Sequence, residues 1–99
     1  MHTSEEIIRF LKTNKKYIQK QFHCREIGLF GSFARNEQNE NSDVDILVDF
    51  EPETPDLYET EKKLKGYLQN HFNRKVDICT RKWIKPVFKK MVLNDTVYA

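Results

Sequence analysis

A chain of 99 residues, 38% hydrophobic and 12% aromatic, carries enough apolar material for one modest core and too little for two, so a single domain over 1–99 is expected. With 32% charged residues and a mean hydropathy of −0.74, it has no apolar run approaching the roughly eighteen residues of a bilayer span, and MHTSEEIIRF lacks the basic and apolar regions of a secretion signal; no membrane association and a cytoplasmic location are expected. A net charge of +2 is too weak to favour a nucleic-acid partner, and Cys24 and Cys79, without CxxC or CxxH spacing, give neither a disulfide framework nor a zinc site and read as reduced, buried small hydrophobes.

Thr3 followed by Glu6 forms a capping box, and Ile7, Ile8, Leu11, Ile18 and Phe22 recur at helical spacing, which predicts one amphipathic helix ending near residue 22. EIGLF (26–30) is a short apolar strand running into Gly31, after which Ser32 to Glu37 open a short helix. Asn36 to Ser42 contain nothing to bury and predict an exposed connection. Residues 43–50 alternate as a half-exposed strand does, Val44, Ile46, Val48 and Phe50 on one face, Asp43, Asp45, Leu47 and Asp49 on the other. Thr54 as N-cap and Pro55 in the first turn introduce a helix with a stripe of Leu57, Leu64 and Leu68 running to about His71.

KVDIC (75–79) is a third strand, with Val76 and Ile78 facing away from Asp77. Pro86 starts a closing amphipathic helix with Val87, Phe88, Met91 and Val92, flanked by Trp83 and Tyr98 as packing residues or partner contacts. Arg81, Lys82, Lys85, Lys89 and Lys90 gather nearby, as a solvated face or a patch for phosphate or a partner. The order α-β-α-β-α-β-α predicts an α+β (α/β) domain with a small, mixed, three-stranded sheet flanked by helices. His2, His23 and His71 form no ligand spacing.

If Val44, Ile46 and Val48 share a buried face with Val76 and Ile78, then Asp43, Asp45 and Asp77 share the opposite one. At about 5 to 6 Å and an effective dielectric of about 20, each ionised pair costs on the order of 3 kcal/mol, a large fraction of a small domain's roughly 5 to 15 kcal/mol. Protonation or a divalent cation relieves this, and hard carboxylate oxygens suit Mg²⁺ or Mn²⁺. A lone DxD also decorates exposed strands. Here a Gly31-Ser32 turn follows a strand ten residues upstream, where backbone N–H groups and a hydroxyl favour an anion. Arg35 either offsets phosphate charge or is an ion-paired surface side chain. Asp49 lies about 13 Å along the strand from Asp45, too far for a shared ion, and reads as a solvated strand end.

The stretch GSFARNEQNENSDVD (31–45) fits GS-x10-D-x-D. With GLFGSFAR, SDVDILVDF, KVDICT and the segment from Lys85-Pro86 to Val97-Tyr98, nearly the whole chain resembles the minimal nucleotidyltransferase domain of the DNA polymerase β superfamily, particularly the small antitoxins paired with HEPN-domain toxins. The resemblance implies that Gly31 and Ser32 hold a nucleoside triphosphate and that Asp43, Asp45 and Asp77 bind two Mg²⁺ ions, with Asp77 nearest the attacking hydroxyl. It implies transfer of AMP from ATP to a hydroxyl, a tyrosine of a HEPN toxin, within a hetero-oligomer. Two other functions compete: an antitoxin that neutralises its toxin by binding alone, and transfer onto tRNA or a small molecule. One departure stands out, since similar chains often read GSxARG and this one has Asn36 after the arginine, a change expected to shift the path of the loop.

Overall fold

The computed structural model describes residues 3–99; His2 lies outside them. Helix α1 spans Ser4–Thr13, and Thr3 caps it, its hydroxyl oxygen accepting from the Glu6 N–H at 3.2 Å. The single long helix expected to residue 22 is in fact two, because the Asn14 side chain donates to the Phe10 carbonyl at 2.9 Å and competes with the backbone ladder. Helix α2, Lys15–Phe22, restarts from Asn14 and ends at His23 in the left-handed conformation.

Strand β1 (Cys24–Phe30) leads into a single turn of helix, α3 (Gly31–Ala34), shorter than the predicted segment. Strand β2 (Val44–Phe50) follows the polar connection, then α4 (Leu57–Phe72) and β3 (Val76–Thr80). The start of α4 differs from expectation: Asp56, at φ +45°, is the N-cap, while the Thr54 hydroxyl donates back to the Glu51 carbonyl within the preceding turn. Asx side chains tolerate this left-handed geometry. After a 3-10 turn at Arg81–Trp83 come α5 (Pro86–Asp95) and a two-residue strand β4 (Val97–Tyr98).

The sheet is mixed and has four strands in the order β3-β2-β1-β4, where three were expected. β2 runs parallel to β3 and antiparallel to β1, and β4 adds antiparallel to β1. The extra strand needs Gly28, where a Cβ would sit 2.7 Å from Thr96 Cγ2 and 2.9 Å from the Val97 carbonyl oxygen. Helices α1, α2 and α4 cover one face of the sheet and enclose Ile7, Leu11, Ile18, Leu64 and Leu68 with Ile46. Phe10 packs against the tilted His71 ring at 4.6 Å and edge-to-face against Phe72 at 5.2 Å, closing the seam between α1 and α4.

The other face carries the acids and is only partly open. Leu47, expected on a half-exposed side, is buried, because the 3-10 turn packs on β2 and α5 packs on β1 and α3. Cys24 is buried and its thiol is pushed up to about 12 by that burial; Cys79 is only partly so, contrary to expectation. The closing helix also departs from its reading. Val92 alone of its apolar residues is buried, whereas Val87, Phe88 and Met91 are exposed, as are Trp83 and Tyr98. No helix among the described residues is long and apolar enough to cross a membrane.

Candidate active site

The parallel pairing of β2 with β3 sets Asp45 opposite Asp77, and Val44 opposite Val76. Residues directly opposite in a sheet project to the same face, so Asp45 and Asp77 share a side, and Asp43, two residues before Asp45, shares it too. Asp45 senses its neighbours: it is raised to about 6, first by burial, then by the charges of Asp77 and Asp43, with Arg35 acting in the opposite direction. Cys79, next along that face, is raised by burial and by the charge of Asp45. Lys75 Nζ stands 3.8 Å from Asp43 Oδ2 and supplies a nearby positive charge that the motif spacing did not single out.

Asp45 also sits against the Gly31-Ser32 turn, because Phe30 pairs with Asp45 across β1 and β2. Gly31 adopts φ +75°, and a Cβ there would fall 2.2 Å from Asp45 Oδ2. Only glycine satisfies both the left-handed backbone and the carboxylate packed over it. Gly31 and Ser32 open a helical turn that has no side-chain cap, which leaves its leading N–H groups available to an anion.

Arg35 is ion-paired on two sides, Nε to Glu37 Oε1 at 2.8 Å and NH1 to Asp95 Oδ2 at 2.5 Å, while its field still favours the ionised form of Asp45. Asn36 takes φ +57°, the region a glycine would occupy, and its Oδ1 accepts from the Ser4 hydroxyl at 2.9 Å. Asparagine thus accommodates the turn that the family pattern gives to glycine. Asp49, read as solvated, is instead ion-paired to Arg25 at 2.9 Å beside the β1 bulge.

Arg74, which no motif pointed to, organises the connection into Asp43. Its NH1 donates to the carbonyls of Asn39, Glu40 and Ser42 at 3.3, 3.0 and 2.6 Å, and its guanidinium lies 5.4 Å from the Phe33 ring centroid. One residue therefore ties the glycine-serine turn to the loop that delivers the first acid. The signal open to sequence reasoning was only an arginine between α4 and β3.

Among the described residues, no three potential ligands form a preassembled metal cluster. The donor chemistry nevertheless fits a hard divalent ion, since the face offers carboxylate oxygens and no imidazole, and magnesium commonly takes one or two protein carboxylates with phosphate and water completing its shell. The groove of about 470 Å³ over Ile8, Leu29, Ala34 and Val97 contains none of these acids.

Comparison with known proteins bears on this arrangement. The model for the nucleotidyltransferase domain matches residues 5–99. The chain belongs to the nucleotidyltransferase domain family. The protein adenylyltransferase MntA of Thermococcus cleftensis is 44% identical over 98 residues, covering 99% of this chain and 97% of that one. A Methanocaldococcus jannaschii relative, provisionally named a protein adenylyltransferase, is 42% identical over 99% of both. A solved minimal nucleotidyltransferase superposes with a TM-score of 0.73 at 26% identity, over 91% of this chain and 93% of that one. A toxin-antitoxin complex solved with AMP-PNP shares the fold, with a TM-score of 0.68 at 23% identity over 98% of this chain and 72% of that one. The four-stranded nucleotidyltransferase fold with its flanking helices is thereby shared with the solved structures, and the chain is an enzyme of the nucleotidyltransferase class.

Proposed function

We propose that this chain transfers AMP from ATP to a hydroxyl presented by a partner protein, a tyrosine of a HEPN-domain toxin, and so acts as an antitoxin. The observation that carries the reading is the pairing of Asp45 with Asp77 beside a glycine turn that Asp45 itself occupies. The high identity to a protein adenylyltransferase over nearly the full length supports protein as the acceptor class. The toxin partner rests on the likeness to small antitoxins.

In this reading Gly31 and Ser32 receive the triphosphate through backbone N–H groups and the Ser32 hydroxyl. Asp43, Asp45 and Asp77 would hold the divalent ions, and Asp77 would also take up the proton of the acceptor hydroxyl. Two Mg²⁺ ions, when bound, supply charge neutralisation at the α-phosphate and activation of the attacking oxygen, with pyrophosphate leaving. Arg35, already aligned between Glu37 and Asp95, contributes positive charge toward the phosphates. Arg74 keeps the Asn39–Ser42 carbonyls in place so that Asp43 enters the site at a fixed position.

The test is incubation with Mg²⁺, α-labelled ATP and the co-expressed partner, followed by mass spectrometry of that partner. Added AMP on a tyrosine by the wild type, lost in Asp43→Ala/Asp45→Ala, is expected. Equal labelling by the double variant would sink the catalytic reading, and toxin neutralisation that survives without labelling would favour silencing by binding alone.

A further inference from the structure

Helix α5 presents an apolar side that the fold leaves uncovered. Val87 is 79% exposed, Met91 59% and Phe88 50%, with Trp83 at 59% in the turn just before. Helical spacing puts Val87, Phe88, Met91 and Asp95 on one side of α5, and Asp95 is the residue that grips Arg35. The uncovered strip therefore leads along the helix toward the acid-bearing end of the sheet. Its surroundings are basic: Lys82, Lys85, Lys89 and Lys90 have no ion-pair partner among the described residues, and no acid occurs between Arg81 and Asn94.

We propose that this strip is the docking surface for the acceptor protein and that it takes an acidic, amphipathic helical segment; the proposal rests on the reading above that another protein presents the hydroxyl. Exposed aromatic and aliphatic side chains inside a charged rim are the usual anatomy of a protein contact. A second copy of this chain is a poor occupant, because a two-fold interface would set the same unpaired lysines against each other. A nucleic acid would use the lysines and leave the aliphatic Val87 and Met91 without a counterpart, whereas an apolar helix side fills that strip as its carboxylates meet the rim. Docking here sets the acceptor beside Asp95 and Arg35, next to the turn that receives the triphosphate.

The probe is a fluorescent helical peptide with leucines on one side, glutamates on the other and one tyrosine, compared with the same peptide carrying lysines for glutamates. Anisotropy with the full chain should show the acidic peptide binding about tenfold or more tighter at low salt. Lys85→Glu/Lys89→Glu/Lys90→Glu should invert that preference, and Val87→Ser/Met91→Ser should weaken binding of the acidic peptide, with circular dichroism unchanged because all five side chains are exposed. Equal affinity for the two peptides overturns the proposal, as does an acidic-peptide affinity that neither variant changes while phosphatidylserine vesicles or an RNA hairpin bind through these residues. Charge-dependent binding without AMP transfer from ATP to the tyrosine would uphold the surface and sink the tyrosine reading. AMP transfer to both peptides at equal kcat/KM, with equal binding, would sink the surface and uphold transfer.

Discussion

Arg35 and Asp95 join the turn of α3 to the last residue of α5, with NH1 2.5 Å from Oδ2. The same guanidinium lowers the proton affinity of Asp45. Replacing Arg35 by Ala should therefore move the Asp45 titration above about 6, readable by carboxyl NMR of labelled aspartate. The melting temperature should change little, since the pair is exposed on the arginine side. An unmoved Asp45 titration would show that Arg35 does not act on the site.

Glycine 31 should resist any substitution. Gly31→Ala meets both a left-handed backbone, costing roughly 1 to 2 kcal/mol, and the Asp45 carboxylate within 2.2 Å, so stability should fall and AMP transfer should drop to near background. Gly66→Ala is the control, because nothing lies within 4 Å of its added Cβ in mid-α4. It should gain roughly 1 kcal/mol and keep full activity. Urea denaturation and a transfer assay on both variants check the pair.

The acids should cost stability when no metal is bound. Asp45 has a folded pKa near 6 against 3.8 unfolded, so the folded chain binds the extra proton between those values and stability declines as pH rises through that window. Asp45→Asn should remove the decline: its melting temperature should match wild type near pH 3.5 and exceed it at pH 7 in chelator. Addition of Mg²⁺ should raise the wild-type melting temperature at pH 7 and leave the variant unchanged. A wild type indifferent to Mg²⁺ above pH 6 would refute metal binding by these carboxylates.

Arg74 should matter more than its distance in sequence from the motif suggests. Arg74→Ala releases three carbonyls and the face of Phe33, with an expected loss of about 1 to 3 kcal/mol and faster amide exchange over 39–44. Arg74→Lys should not restore the loop, since an ammonium lacks the planar fork that stacks and donates at once. Full rescue by lysine would reduce the residue to a simple charge.

The alternation of Asp43, Val44, Asp45 and Ile46 was legible because a period of two leaves no choice of face, and the same holds for Val76, Asp77 and Ile78. The break at Asn14 was not, since Leu11 and Ile18 keep a helical spacing across it and the competing hydrogen bond is a single local contact. β4 has two residues, too few for any period, and exists through its register with Gly28 and Leu29. At the start of α4, Thr54 and Pro55 looked like the stronger signal, and Asp56 won by accepting from Glu59 in a left-handed cap. The exposure of Phe88 and Met91 was hidden for a different reason: amphipathic spacing shows that a helix has an apolar side, not that the same chain covers it.

Strand β2 lies inside the sheet, hydrogen-bonded to β1 on one edge and β3 on the other, whereas β4 is a two-residue border. Opening of a sheet proceeds from its margins. Breathing of the molecule should thus peel Val97 and Tyr98 away while the segment from Val44 to Val48, with Asp45, stays zipped between β1 and β3, so that displacement of Asp45 coincides with collapse of the whole tertiary structure and not with fraying at the β4 border.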